Sequence, residues 1–186
     1  MNEALWALGR GTGVVALLLL TVSIVLGILT RSGRPLLKLP RFGVALVHRN
    51  AALLATIFVA IHVITLFFDT DSQLKIVDLV VPFLGSYRPF WLGLGTLAVD
   101  LLIAIVATAL LRKRLGARVF KGIHLATYGL WPIALFHTIG TGTDAGTPWL
   151  IGVMVVCCAA VIGAVGWRAS ARYAESRGAR LEGALR

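Results

Sequence analysis

The sequence predicts an all-α integral membrane bundle of five transmembrane helices, with the N-terminus outside and the C-terminus in the cytoplasm. Three observations lead there. The 186 residues are 58% hydrophobic and 14% charged, with a mean hydropathy of +0.88, whereas soluble domains average roughly 45–50% apolar residues. Gly11–Leu29, Asn50–Phe68, Gly122–Thr143 and Ala145–Trp167 carry no charged side chain, and Pro89–Leu111 carries only Asp100. Each can cross a hydrocarbon core of about 30 Å as a helix. Finally, fifteen of the eighteen basic residues fall on one side if the spans alternate. They form blocks around Arg31–Arg49, Arg112–Lys121 and Arg168–Arg186, and the positive-inside rule makes that side cytoplasmic. So apolar a chain leaves no room for a soluble catalytic domain, and its net charge of +10 reports topology and anionic lipid rather than nucleic acid.

Helix one is expected over Leu5–Thr30 and is read as retained, since no basic n-region precedes it. Pro35 and Pro40 interrupt the basic loop that follows. Helix two is expected over Gly43–Phe68, and the long connection Asp69–Arg88 holds an amphipathic stretch, Leu74–Phe83. Helix three is expected over Pro89–Leu111 and helix four over Arg118–Thr141. A Gly- and Thr-rich loop, Gly140–Pro148, leads to helix five over Trp149–Trp167, with Arg168–Arg186 as a basic cytoplasmic tail. Trp6, Trp91 and Trp149 mark the outer ends and Trp167 the inner one. The Gly9–Gly13 spacing and the pair Gly93 and Gly95 follow no strand, so they read as helix-packing residues. Cys157 and Cys158 read as packing residues inside the last span.

All four histidines lie on helices two and four: His48 and His62 on one, His124 and His137 on the other. Ionisable side chains inside a span mark function. Counting from Gly43 and Arg118, His48 and His124 are five and six residues in, while His62 and His137 are each nineteen in. The two helices are parallel, so this gives two pairs at matched depths, about 20 Å apart by helical rise. Two facing imidazoles are what a haem iron takes as axial ligands. A zinc site needs more ligands, and no carboxylate or thiol is close in sequence. The angular fit is incomplete. The fourteen-residue step on helix two is about 40° from whole turns, but the thirteen-residue step on helix four is about 140° off. Helix four must be distorted, with Pro132 as a place for it, or its histidines approach from different sides.

These histidines, with His48-Arg49-Asn50, Ala60-Ile61-His62-Val63, Ser86-Tyr87-Arg88-Pro89, His124-Leu125-Ala126-Thr127-Tyr128 and His137 through Asp144, resemble the ferric-reductase-like transmembrane domain superfamily. That group includes NADPH oxidases, ferric reductases and the haem-binding membrane subunit of the methionine sulfoxide reductase system. The resemblance covers Gly43–Asp144 well. It implies two b-type haems, the inner held by His48 with His124 and the outer by His62 with His137. Residues 1–167 would then be the haem domain and 168–186 its tail. The superfamily core commonly has six helices against five here. Its oxidases continue into flavin and nicotinamide domains that this sequence does not show, so the expected electron donor is another protein, a loosely bound flavin or a membrane quinol.

Other residues fit around that core. Arg10 and Arg88 at the outer face, and Arg49 and Arg118 at the inner one, are candidate partners for haem propionates, with snorkelling the alternative for Arg10. Asp100 and Tyr128 read as structural hydrogen-bonding groups or as part of a proton-linked redox role. Trp131 reads as packing or as an aromatic between the haems. The expected function is a di-haem b-type cytochrome of the cell membrane, the membrane subunit of a reductase. Electrons would come from a separate protein, flavin or quinol and pass to an extracytoplasmic acceptor. The alternatives are a quinol-oxidising cytochrome like the b561 group, and a non-haem transporter or assembly factor using its histidines for protons or metal. The charge distribution generates the first prediction. A reporter fused after Arg186 is expected to be active only in its cytoplasmic form, and activity of a periplasmic-type reporter would shift the helix count by one.

Overall fold

The structure, a computed structural model, describes residues 3–32, 40–69, 74–86 and 88–170. Within them the chain is helical throughout, with no strand. The order is α1 (Glu3–Ser32), α2 (Arg41–Phe68), α3 (Ile76–Val80), α4 (Pro89–Leu110), α5 (Arg112–His124), α6 (Thr127–Thr141) and α7 (Pro148–Ala169). Four described helices are long and apolar enough to cross a membrane: Glu3–Ser32, Phe42–Phe68, Pro89–Leu110 and Pro148–Ala169. They match expected helices one, two, three and five to within about two residues, because uncharged length fixes where a membrane helix runs. Pro89 and Pro148 occupy first-turn positions, where a missing N–H costs nothing. The amphipathic stretch Leu74–Phe83 narrows to the single short turn of α3. Most of the expected tail lies outside the described residues.

The expected helix Arg118–Thr141 is not one helix. Gly116 interrupts α5 at φ +80°, a conformation open to glycine. A second break follows His124. There Ala126, Tyr128 and Gly129 N–H donate to the carbonyls three residues back, those of Ile123, Leu125 and Ala126. Each residue of such a tightened turn advances about 20° further than in an α-helix. That rotates His124 in the sense that reduces its angular mismatch with His137. The anticipated distortion therefore exists, but at Leu125–Ala126; Pro132 sits inside α6 without ending it.

α1 is the hub, packing along α2 and also against α6 and α7, while α4 packs against α6 and α5. One core cluster joins Leu17, Trp131, Leu135, Cys157 and Val161 from α1, α6 and α7. A second joins Leu26 to Val44 and Ala51 between α1 and α2. The third joins Leu102 and Ile105 of α4 to Leu130 of α6. The polar tie among them is Trp131 Nε1–H donating to the Thr21 hydroxyl at 2.9 Å, both residues buried. Thr21→Val removes that acceptor and leaves a buried indole N–H unpaired, at a cost of about 1–3 kcal/mol. Thr56→Val is the control, since its hydroxyl bonds only the Ala52 carbonyl of its own helix. Thermal denaturation in detergent should lower the midpoint for Thr21→Val and barely move it for Thr56→Val.

Candidate functional site

Three of the four histidines are fixed in the same way. His62 Nδ1 donates to the Gly9 carbonyl of α1 at 2.7 Å, and His48 Nδ1 to the Ser23 carbonyl of α1 at 2.9 Å. His137 Nδ1 donates to the Trp91 carbonyl of α4 at 2.8 Å. In every case the residue four positions further along the accepting helix is glycine: Gly13, Gly27 and Gly95. A helical Cβ tilts toward the N-terminus and covers the preceding turn, so a side chain at that position would overhang the carbonyl being approached. A Cβ on Gly13 would lie 2.9 Å from His62 Nδ1, one on Gly27 3.3 Å from His48 Cε1, and one on Gly95 2.7 Å from His137 Nδ1. Bare helix surface and imidazole are complementary.

A donating Nδ1–H fixes the tautomer and leaves Nε2 as a free electron pair, the arrangement that orients metal-binding histidines. The rings then face each other across the gap between the α1–α2 and α4–α6 pairs. His48 and His124 have centroids 6.2 Å apart and planes at 90°; His62 and His137 are 6.4 Å apart at 85°. A metal about 2 Å from one nitrogen of each ring requires centroids roughly 6 Å apart. Among the described residues no group of three or more His, Cys, Asp or Glu side chains is placed to hold an ion. What the chain offers is two imidazoles facing each other at each end of the gap. Around His62 and His137 the gap opens into a pocket lined by apolar residues such as Leu17, Val63 and Leu102 and edged by Asp78. Such a lining suits a mostly apolar ligand group.

The model of the family described as ferric reductase like transmembrane component matches residues 12–135. The chain belongs to that family. No curated protein and no solved structure matches it. Membership makes it a membrane electron-transfer component, and the match takes in three of the histidines, with His137 two residues beyond its end.

Four arginines were singled out in this ferric-reductase-like chain. Arg10 forms an ion pair with Asp144 and lies 3.9 Å over the Trp6 ring. Arg88, with φ +40°, donates to the Gly140 carbonyl at 2.6 Å. Arg10 ties α1 to the loop after α6, and Arg88 ties the start of α4 to the end of α6, both at the His62–His137 end. Arg49 and Arg118 are exposed at the His48–His124 end. Asp100 is half-buried on α4, and Tyr128 accepts a hydrogen bond from Arg168 of α7. The glycine cradles are what sequence reasoning missed, although the fourteen-residue step from Gly13 to Gly27 repeats the step from His48 to His62. Gly95→Ala should destabilise the folded protein and displace His137. Gly152→Ala, whose Cβ meets nothing within 4 Å, should leave stability unchanged or raise it by about 0.4–1 kcal/mol. Equal thermal midpoints for the two variants would remove the cradle interpretation.

Proposed function

We infer that this protein is a di-haem b-type cytochrome of the cell membrane, carrying electrons from a separate cytoplasmic or membrane donor to an extracytoplasmic acceptor. The supporting observation is the repeated pair: two imidazoles about 6 Å apart at both ends of one gap, with three Nδ1 atoms already turned to carbonyls. Haem iron supplies reversible one-electron chemistry. The chain's own residues do the rest. His48 with His124, and His62 with His137, would hold the two haems through the imidazole nitrogens left free of protons, and the haems would supply electron transfer. Leu17, Val63 and Leu102 line the far-end space with hydrocarbon and exclude water from it.

The second half of α5, from Arg118, together with α6 makes the fifth crossing in this reading, with α7 returning to the cytoplasm. The N-terminus is then outside, and the end rich in Arg112, Lys113, Arg114, Arg118 and Lys121 faces the donor. Arg49 and Arg118, exposed at the His48–His124 end, would meet carboxylates of the inner haem. Arg10 and Arg88 serve the outer haem by sharing their guanidinium N–H groups, five on each, with Asp144 and the Gly140 carbonyl.

Haem content tests the reading. Pyridine haemochrome analysis should give two non-covalent b haems per chain. His62→Ala and His137→Ala should each lose one spectral species, and His48→Ala and His124→Ala the other. Loss of the same species from His48→Ala and His62→Ala would overturn the pairing, and colourless wild-type protein would overturn the function.

A further inference from the structure

The structure forms a helix where the sequence suggested a connection. α5 carries Arg112, Lys113, Arg114, Arg118 and Lys121, all exposed, and no acidic residue. The acidic side chains among the described residues stand elsewhere. Glu3, Asp69, Asp78 and Asp144 lie toward the His62–His137 end. Asp100 is ten residues before the last residue of α4, about 15 Å away by helical rise. Among the described residues, the α5 cations have no carboxylate partner.

Hydrocarbon is exposed beside this charge. Leu110 is 80% exposed, and Leu111, Leu115 and Val119 are exposed as well. Leu110 ends the membrane-crossing helix Pro89–Leu110, so the apolar surface of α4 runs directly into α5. After the break at Gly116, Arg118 and Lys121 are three residues apart and share a face. Val119 and Ile123, four apart, share another, and Ile123 packs against the cluster of Leu102, Ile105 and Leu130. The break also brings the two halves of α5 together. The Arg112 guanidinium lies 4.9 Å from the centre of the Phe120 ring, whereas a straight helix separates such positions by about 12 Å of rise. The result is a bent, basic, amphipathic segment continuous with a membrane span.

We propose that α5 is a binding site for anionic phospholipid. Lys113, Arg114 and Lys121 meet the head group, and the acyl chains lie along Leu110, Leu111, Leu115 and Val119. Binding of such segments to membranes scales with buried apolar area plus attraction to anionic lipid, and each Lys or Arg near the surface adds to it. An acidic protein surface would answer the cations and leave the leucines uncovered. Zwitterionic lipid would cover the leucines and leave the charge uncompensated. Anionic lipid answers both. The site uses none of the four histidines and stands independently of the haems.

The test reconstitutes the full-length protein in phosphatidylcholine vesicles with traces of spin-labelled phosphatidylglycerol or phosphatidylcholine. The motionally restricted fraction of each label gives their relative affinities. Phosphatidylglycerol should be preferred several-fold, and the preference should fade between about 0.1 and 1 M salt as the screening length shrinks from about 10 to 3 Å. Lys113→Gln/Arg114→Gln/Lys121→Gln should lower it roughly fivefold, the worth of one such cation near a charged surface. Arg177→Gln/Arg180→Gln/Arg186→Gln removes as much charge from the tail and should keep it. If the α5 triple variant does not fold, Lys113→Gln/Arg114→Gln takes its place. Equal affinities for the two lipids would overturn the proposal and leave α5 to an acidic protein partner. A preference unchanged in the α5 variants would overturn it too, as would its loss to inorganic phosphate at constant ionic strength, which marks a site for the free anion.

Discussion

A helix in lipid must satisfy its own backbone, yet each carbonyl oxygen has two lone pairs and helical bonding uses one. The carbonyls of Gly9, Ser23 and Trp91 are the acceptors on which this molecule is arranged. Reaching a carbonyl on the side of a helix requires that nothing overhang it, so glycine follows four residues later each time. It also requires the histidine's helix to pack closely, as α2 does along α1. Once made, the bond fixes which nitrogen carries the proton and where the other one points. Helix spacing, ring orientation and ligand chemistry all follow from that contact.

Four of the expected helices were legible because they depend on one quantity, the uncharged length needed to cross a bilayer. The matched depths of the histidines were legible for a similar reason, since helical rise is constant. Helix four resisted. Its break is written in the hydrogen bonds of Ala126, Tyr128 and Gly129 rather than in a breaker residue, and the obvious breaker, Pro132, is accommodated inside α6. The cradles were half-legible: Gly9 and Gly13 were visible as a small-residue pair, but the ring each carbonyl meets lies 25 to 53 residues away in sequence. Arg10 shows the same limit, because Asp144, its partner, is set by the tertiary fold.

The two histidine pairs look alike along the sequence and differ in three dimensions. α1 carries two carbonyl anchors fourteen residues apart and α4 carries one, while His124 Nδ1 has no hydrogen-bond partner among the described residues. An antiparallel helix pair that presents two imidazoles thus occurs twice, once with both rings pinned and once with one. Counting ligands would have called the two ends equivalent.

α1 supplies no histidine, yet it touches α2, α6 and α7 and holds two of the four rings. Its position at the start of the chain has a bearing on biogenesis. By the time the ribosome has released Phe68, the α1–α2 hairpin already contains His48, His62 and both of their carbonyl anchors. One histidine of each pair can therefore be oriented before α4 or α6 has been synthesised, so that the α4–α6 half meets a surface whose facing rings are already fixed.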